Sequence, residues 1–217
     1  MEKKRNVLLV ILGVILAVGV IGGTVAWLTR TSTLTNTFTV GNFETPVTDP
    51  TDSTKSINID GNLYEPSWDK NAEHKLLPGN EYAKDPYVGI GAGSEDGVVY
   101  VYVKNNFSNK VYFDINNGWS AVSGYTTAGY KSGSYTSGLF KYDAGLTAKN
   151  DGDSWTTTPL FSKVEVAEEA NSSDFNTGND DKTIIVSSFL HQAKDDNGDP
   201  IDGTEILNAA KDAFNLN

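Results

Sequence analysis

The apolar residues of this chain come in short runs, and each run is closed by Gly, Pro, Asn or Asp before it could become a long helix. The strongest run, Val98–Val103, reads V-V-Y-V-Y-V. β-Branched and aromatic side chains in that density suit a pleated strand buried on both faces, and this strand is expected to be central. The 21 glycines and 7 prolines supply the turns that a many-stranded chain needs. Short strands separated by turn signals argue for a β-sandwich or barrel.

Other segments follow the same logic. Thr31–Phe43 carries Phe38 and Val40 between Thr37 and Thr39, the alternation of a half-buried strand. Thr45–Lys55 reads as a Pro/Thr/Asp linker, and Ile57–Tyr64 resumes alternation. Leu77-Pro78-Gly79 is a turn, and Pro86 opens a strand through Ile90, where its missing N–H does least harm. Lys110–Ile115 is expected to pair with Val98–Val103 across Asn105–Asn109. Tyr125–Tyr135, rich in Gly, Ser, Thr and Tyr, reads as a long surface loop. Leu139–Tyr142, Leu160–Val166 and Thr183–Gln192 are further strands, and Ala167–Phe175 a helical turn. At the end, Asp202-Gly203-Thr204-Glu205 has the form of a capping box, with Ile206, Leu207, Ala210 and Phe214 at helical spacing behind it.

Hydrophobic residues make up 38% of the chain, enough for a packed core. There is no cysteine, which removes disulfides and thiolate metal sites. The formal net charge of −11 repels nucleic acid and anionic headgroups, so neither is an expected partner.

The N-terminus has the three parts of a secretory signal. Lys3, Lys4 and Arg5 precede an uncharged stretch from Asn6 to Thr29, rich in Val, Leu and Ile up to Ile21. Thr24 and Ala26 fit the small −3 and −1 pockets of a signal peptidase, so residues 1–26 are read as a leader helix and Trp27 as the mature N-terminus. The competing reading is an uncleaved anchor, since the run is just long enough to span a bilayer. In both cases the remainder lies outside the cytoplasm, and contact with the membrane is through the precursor alone.

Gly22-Gly23-Thr24-Val25-Ala26-Trp27-Leu28-Thr29, followed by Thr35-Asn36-Thr37-Phe38-Thr39-Val40-Gly41-Asn42, resembles the start of the TasA/camelysin family. Glu65-Pro66-Ser67-Trp68-Asp69, Leu77-Pro78-Gly79, Lys84-Asp85-Pro86-Tyr87-Val88, Thr158–Val164 and His191-Gln192-Ala193 extend the likeness. The resemblance implies a jelly-roll-like antiparallel β-sandwich over residues 44–217 with a short C-terminal helix, exported through a signal peptidase of the SipW type. It also implies a biofilm-matrix fibre of Gram-positive bacteria, in which the N-terminal segment of one subunit adds a strand to the next. Residues 27–43 would be that donor strand, with Trp27, Leu28, Leu34, Phe38 and Val40 as its apolar side chains. Backbone hydrogen bonds would supply affinity and alternate side chains the register. Pairing within its own subunit is the equal alternative.

Some members of that family have been described as metalloproteases. This chain has two histidines, His74 and His191, with no H-E-x-x-H between them, no G-x-S-x-G elbow and no thiol. Gly89–Gly93 is glycine-rich but follows a strand opened by Pro86 and reads as a strand end. No catalytic residue is assigned. No cofactor is expected, with calcium the one ion to test: Asp195, Asn197 and Asp199 offer hard oxygen ligands. Against it, Pro200 and Ile206 stand where an EF-hand needs Gly and Glu, and a plain turn is the competing reading. Asn179-Asp180-Asp181 is a weaker candidate, and Trp119 with the tyrosines of Gly118–Tyr135 would either stack on a sugar or pack the loop. The expected function is a self-associating secreted fibre subunit. The alternatives are a monomeric surface-binding module and, further off, a metal-dependent peptidase.

Overall fold

The computed structural model describes residues 35–40, 43–44, 48–49, 52–56, 62–68, 75–147, 155–175 and 183–216. The leader and Trp27, Leu28 and Leu34 lie outside these residues, as do His74 and Asn179–Asp181. Among the described residues no helix is long and apolar enough to cross a membrane.

The strands, in chain order, are β1 (Thr35–Val40), β2 (Thr48–Asp49), β3 (Asp52–Ser56), β4 (Leu63–Tyr64), β5 (Glu81–Ala83), β6 (Tyr87–Ile90), β7 (Gly97–Asn105), β8 (Val111–Tyr112), β9 (Trp119–Ala128), β10 (Tyr135–Tyr142), β11 (Trp155–Thr156), β12 (Lys163–Val166) and β13 (Ile184–Gln192). Two helices join them, α1 (Ser172–Phe175) and α2 (Gly203–Ala213). The chain is mainly β, with antiparallel sheets and a short C-terminal helix.

A five-stranded sheet runs in the order β1-β13-β7-β10-β9, and two three-stranded sheets run β11-β6-β4 and β5-β12-β8. Period-two alternation explains how they pack. Val99, Val101 and Val103 of β7 point inward with Ile184, Val186 and Leu190 of β13 and Phe140 of β10. There they meet Leu63, Val88, Ile90, Val111, Val164 and Val166 from the smaller sheets. Phe113 joins the layers, its ring 4.4 Å from Phe161 and 5.8 Å from Phe140. Each large apolar side chain buried here contributes about 1.5–3 kcal/mol.

The opposite face of the large sheet is also covered. Tyr100, Leu139 and Phe189 form a second cluster with Ile206 and Ala210 of α2. That helix begins as its sequence suggests: Asp202 accepts a hydrogen bond from the Thr204 N–H at 2.7 Å. β7 therefore has both faces buried, as its unbroken apolar run requires.

Several expectations are corrected. Val111–Tyr112 does not return beside β7 but pairs with β12 in a different sheet, while β7 pairs with β10 and β13. The loop expected over Tyr125–Tyr135 is an extension of β9 to Ala128, followed by a turn closed by the Gly129 N–H on the Ser134 carbonyl. Thr45–Lys55 contains the β2–β3 hairpin rather than an unstructured linker. Leu160 and Phe161 are core residues placed before the strand β12, and of Ile57–Tyr64 only Leu63–Tyr64 is described as strand.

Candidate functional site

The edges of the five-stranded sheet are where a chain of this kind can add or lose a strand, because an edge presents a row of backbone donors and acceptors. β13 has an unbroken antiparallel ladder with β7, from Ile184 opposite Asn105 to Gln192 opposite Gly97. On its other side lies β1, and that pair is parallel. Thr35 is opposite Ser187, Asn36 opposite Ser188, Thr39 opposite Leu190 and Val40 opposite His191, with a register slip between Asn36 and Thr39. β1 thus pairs only along Ser187–His191, leaving Ile184–Val186 outside the registered pairs. Phe38 and Val40, expected donor-strand residues, lie in this strand.

A parallel neighbour cannot be reached by a hairpin. After β1 the chain runs to β2, β3 and β4, and it returns to form β13 only near its end. No turn ties β1 to the edge that it covers.

The root of the β1 arm is fixed instead by Phe43 and Glu44. The Phe43 ring packs against the main core, over Gly97, where an added Cβ would lie 2.9 Å from Phe43 Cε1. The Glu44 N–H donates to Ser94 Oγ at 3.0 Å. The Glu44 carbonyl accepts from the Gly91 N–H at 2.7 Å and from Asn62 Nδ2 at 3.1 Å. Gly89–Gly93 therefore serves as a strand end that anchors this arm, with Gly93 in a left-handed turn at φ 82°.

The far edge of the sheet is built differently. Between Ala121, opposite Phe140, and Thr126, opposite Gly138, the four residues 122–125 of β9 stand against the single residue Leu139. Gly124 at φ 83° permits the bend. Val122 and Tyr125 turn toward the α2 cluster, and the Lys211 ammonium sits 5.1 Å from the centre of the Tyr125 ring. A bulge of this size breaks the flat edge that another strand would need. Trp119 is not a sugar platform: it is 5% exposed, donates from Nε1 to the Thr158 carbonyl at 3.0 Å, and packs on Tyr142.

Two stretches that carried the family resemblance come together in the core. Lys84 Nζ is 2.6 Å and 2.8 Å from the two Glu65 carboxylate oxygens, and the side chains are 2% and 3% exposed. The Lys84 ammonium lies 4.8 Å from the centre of the Trp68 ring. Beside it, Asp85 accepts from the Ser67 N–H at 2.8 Å and from Ser67 Oγ at 2.7 Å. Burial pushes the Asp85 carboxyl above its ordinary value of 3.8, and the neighbouring Glu65 charge adds to this, while the Ser67 hydrogen bonds oppose both. This arrangement clamps residues 62–68, which follow the β1 arm, onto the crossover between β5 and β6. Ion-pair residues 19 positions apart leave no periodic signal, so sequence reasoning found the stretches but not their contact.

The calcium candidates share one turn. The Asp195 carboxylate accepts N–H bonds from Asn197 and Asp199, both at 2.9 Å, and an Asn197 side-chain bond at 3.3 Å. The Asp199 N–H bond and the other turn donors hold its carboxyl below the usual range. The described residues contain no group of three His, Asp or Glu side chains placed to hold a metal. His191 is buried on β13, its Nδ1 2.8 Å from the Gln192 carbonyl and its ring 6.0 Å from Phe189. Comparison of the chain with protein-family models, curated proteins and solved structures finds no match.

Proposed function

We propose that this is an exported structural protein, a subunit of an extracellular or cell-surface fibre, in which the N-terminal segment of one copy adds to the β13 edge of the next. The observation that carries this reading is the unequal pair of sheet edges. One is broken by the 122–125 bulge, and the other accepts a strand that no hairpin binds to it. A strand delivered to such an edge from a second copy makes a head-to-tail contact, which does not close and therefore extends. The basic, apolar and small-residue order of residues 1–26 supports export with cleavage after Ala26, through a signal peptidase as transient partner. No catalytic role is proposed.

The pairing of β1 within its own subunit favours a second reading, a monomeric cell-surface binding module. Electron microscopy of the chain beginning at Trp27, and of the same chain shortened to begin at Phe43, separates the two. Filaments from the longer protein and none from the shorter support strand donation. Monomers from both at all concentrations refute it and leave the binding module.

A further inference from the structure

We infer that β1, seated on β13 of its own subunit, is a self-cap that holds the exported monomer inactive until a second copy's N-terminal segment replaces it. The inference rests on the proposed role of β13 as an acceptor edge and adds how that edge is regulated.

Three features lead to it. First, the cap is incomplete. It registers with Ser187–His191 and leaves Ile184–Val186 unregistered, although β13 runs from Ile184 to Gln192. Second, the cap is imperfect. From Asn36 to Thr39 β1 advances three residues while β13 advances two, from Ser188 to Leu190. One residue of β1 is thus pushed out of the ladder, which locally breaks pairing. A segment arriving from another copy is not bound by the position of Phe43 and Glu44, so it can take an unbroken register along the whole edge. Third, the arm is rooted at Phe43 and Glu44, and both apolar clusters are assembled from residue 43 onward. β1 can leave without removing a residue from either cluster.

The cap wins at low protein concentration because it is tethered. A short flexible tether gives an effective concentration in the millimolar range. The longer ladder wins once free subunits accumulate or a filament end presents a complete partner. Assembly should therefore be nucleated, with a lag set by release of β1.

The test uses a fluorescent peptide spanning residues 31–43 and two proteins, the chain from Trp27 onward and the chain from Phe43 onward. The shortened chain should bind the peptide at least about tenfold more tightly, since no tethered competitor remains. Equal binding to both proteins overturns the self-cap but leaves the acceptor edge standing. No binding to a shortened chain that still unfolds cooperatively overturns the acceptor edge itself. A second variant avoids truncation. Asn36→Cys with Ser188→Cys places the two thiols at paired positions in a chain with no other cysteine. The oxidised protein should remain monomeric and form filaments after reduction. Filament growth by the oxidised protein at the parent's rate overturns the inference.

Discussion

The Glu65–Lys84 pair offers the sharpest test of how this core is held. Replacing Lys84 by Met keeps an unbranched chain of similar volume and removes only the charge. The Glu65 carboxylate is then left 3% exposed with its ammonium partner gone. Breaking a buried pair from one side costs about 3–5 kcal/mol. For a domain of this size about 1 kcal/mol corresponds to 2–4 °C in Tm, so the single variant should melt roughly 6–20 °C lower. The double variant Lys84→Met with Glu65→Leu removes both charges. It should recover most of that loss, since apolar replacement of a buried pair is often neutral or stabilising by about 1–4 kcal/mol. Thermal unfolding followed by circular dichroism, with urea unfolding at 25 °C, reads both. A single variant that loses less than about 1 kcal/mol would refute the reasoning, because that is the value of a solvated pair. A double variant as unstable as the single would show that packing, not charge, holds residues 62–68.

Three further outcomes are expected. Asp85 has its carboxyl raised by burial, so its contribution to stability is full below 3.8 and is lost as pH rises through the higher folded value; the stability of the parent relative to Asp85→Asn should grow as pH falls from 7 toward 4, and a pH-independent difference in urea unfolding would contradict it. Gly97→Val should displace the Phe43 ring, whose Cε1 already lies 2.9 Å from an added Cβ, costing about 1–3 kcal/mol and exposing the 43–44 backbone to faster amide exchange. Asp202→Ala should fray the first turn of α2, seen as lower ellipticity at 222 nm and loss of protection at Thr204, while Asp202→Asn should keep both.

The elements most legible in the sequence are those whose environment matches their periodicity. β7 and β13 are buried on both faces and read as continuous apolar runs, and α2 announces its own cap. β9 was hidden because a bulged outer strand has no clean alternation: its Ser123, Gly124, Thr126 and Thr127 resemble a loop in composition. β8 was assigned to the wrong neighbour because proximity in sequence suggests a hairpin, whereas Val111 and Tyr112 cross to the other sheet. At the candidate site, the donor segment was legible from its Thr-rich alternation. The edge that receives it was not, since a strand's place in a sheet is decided by long-range pairing. Phe43 was read as the end of a strand and serves instead as the root of the arm.

β13 is gripped on both faces, by Ile184, Val186 and Leu190 in the main core and by Phe189 under α2. With β1 removed, its backbone would stay ordered rather than collapse or roam. The conformational entropy lost on association then falls on the incoming segment alone, at about 1–2 kcal/mol for each residue it fixes. A segment dense in threonine already favours extended dihedrals and loses less than a glycine-rich one would. The composition of residues 31–40 thus acts as a thermodynamic setting: substitutions there that loosen the unbound segment should weaken association without touching any contact in the bound state.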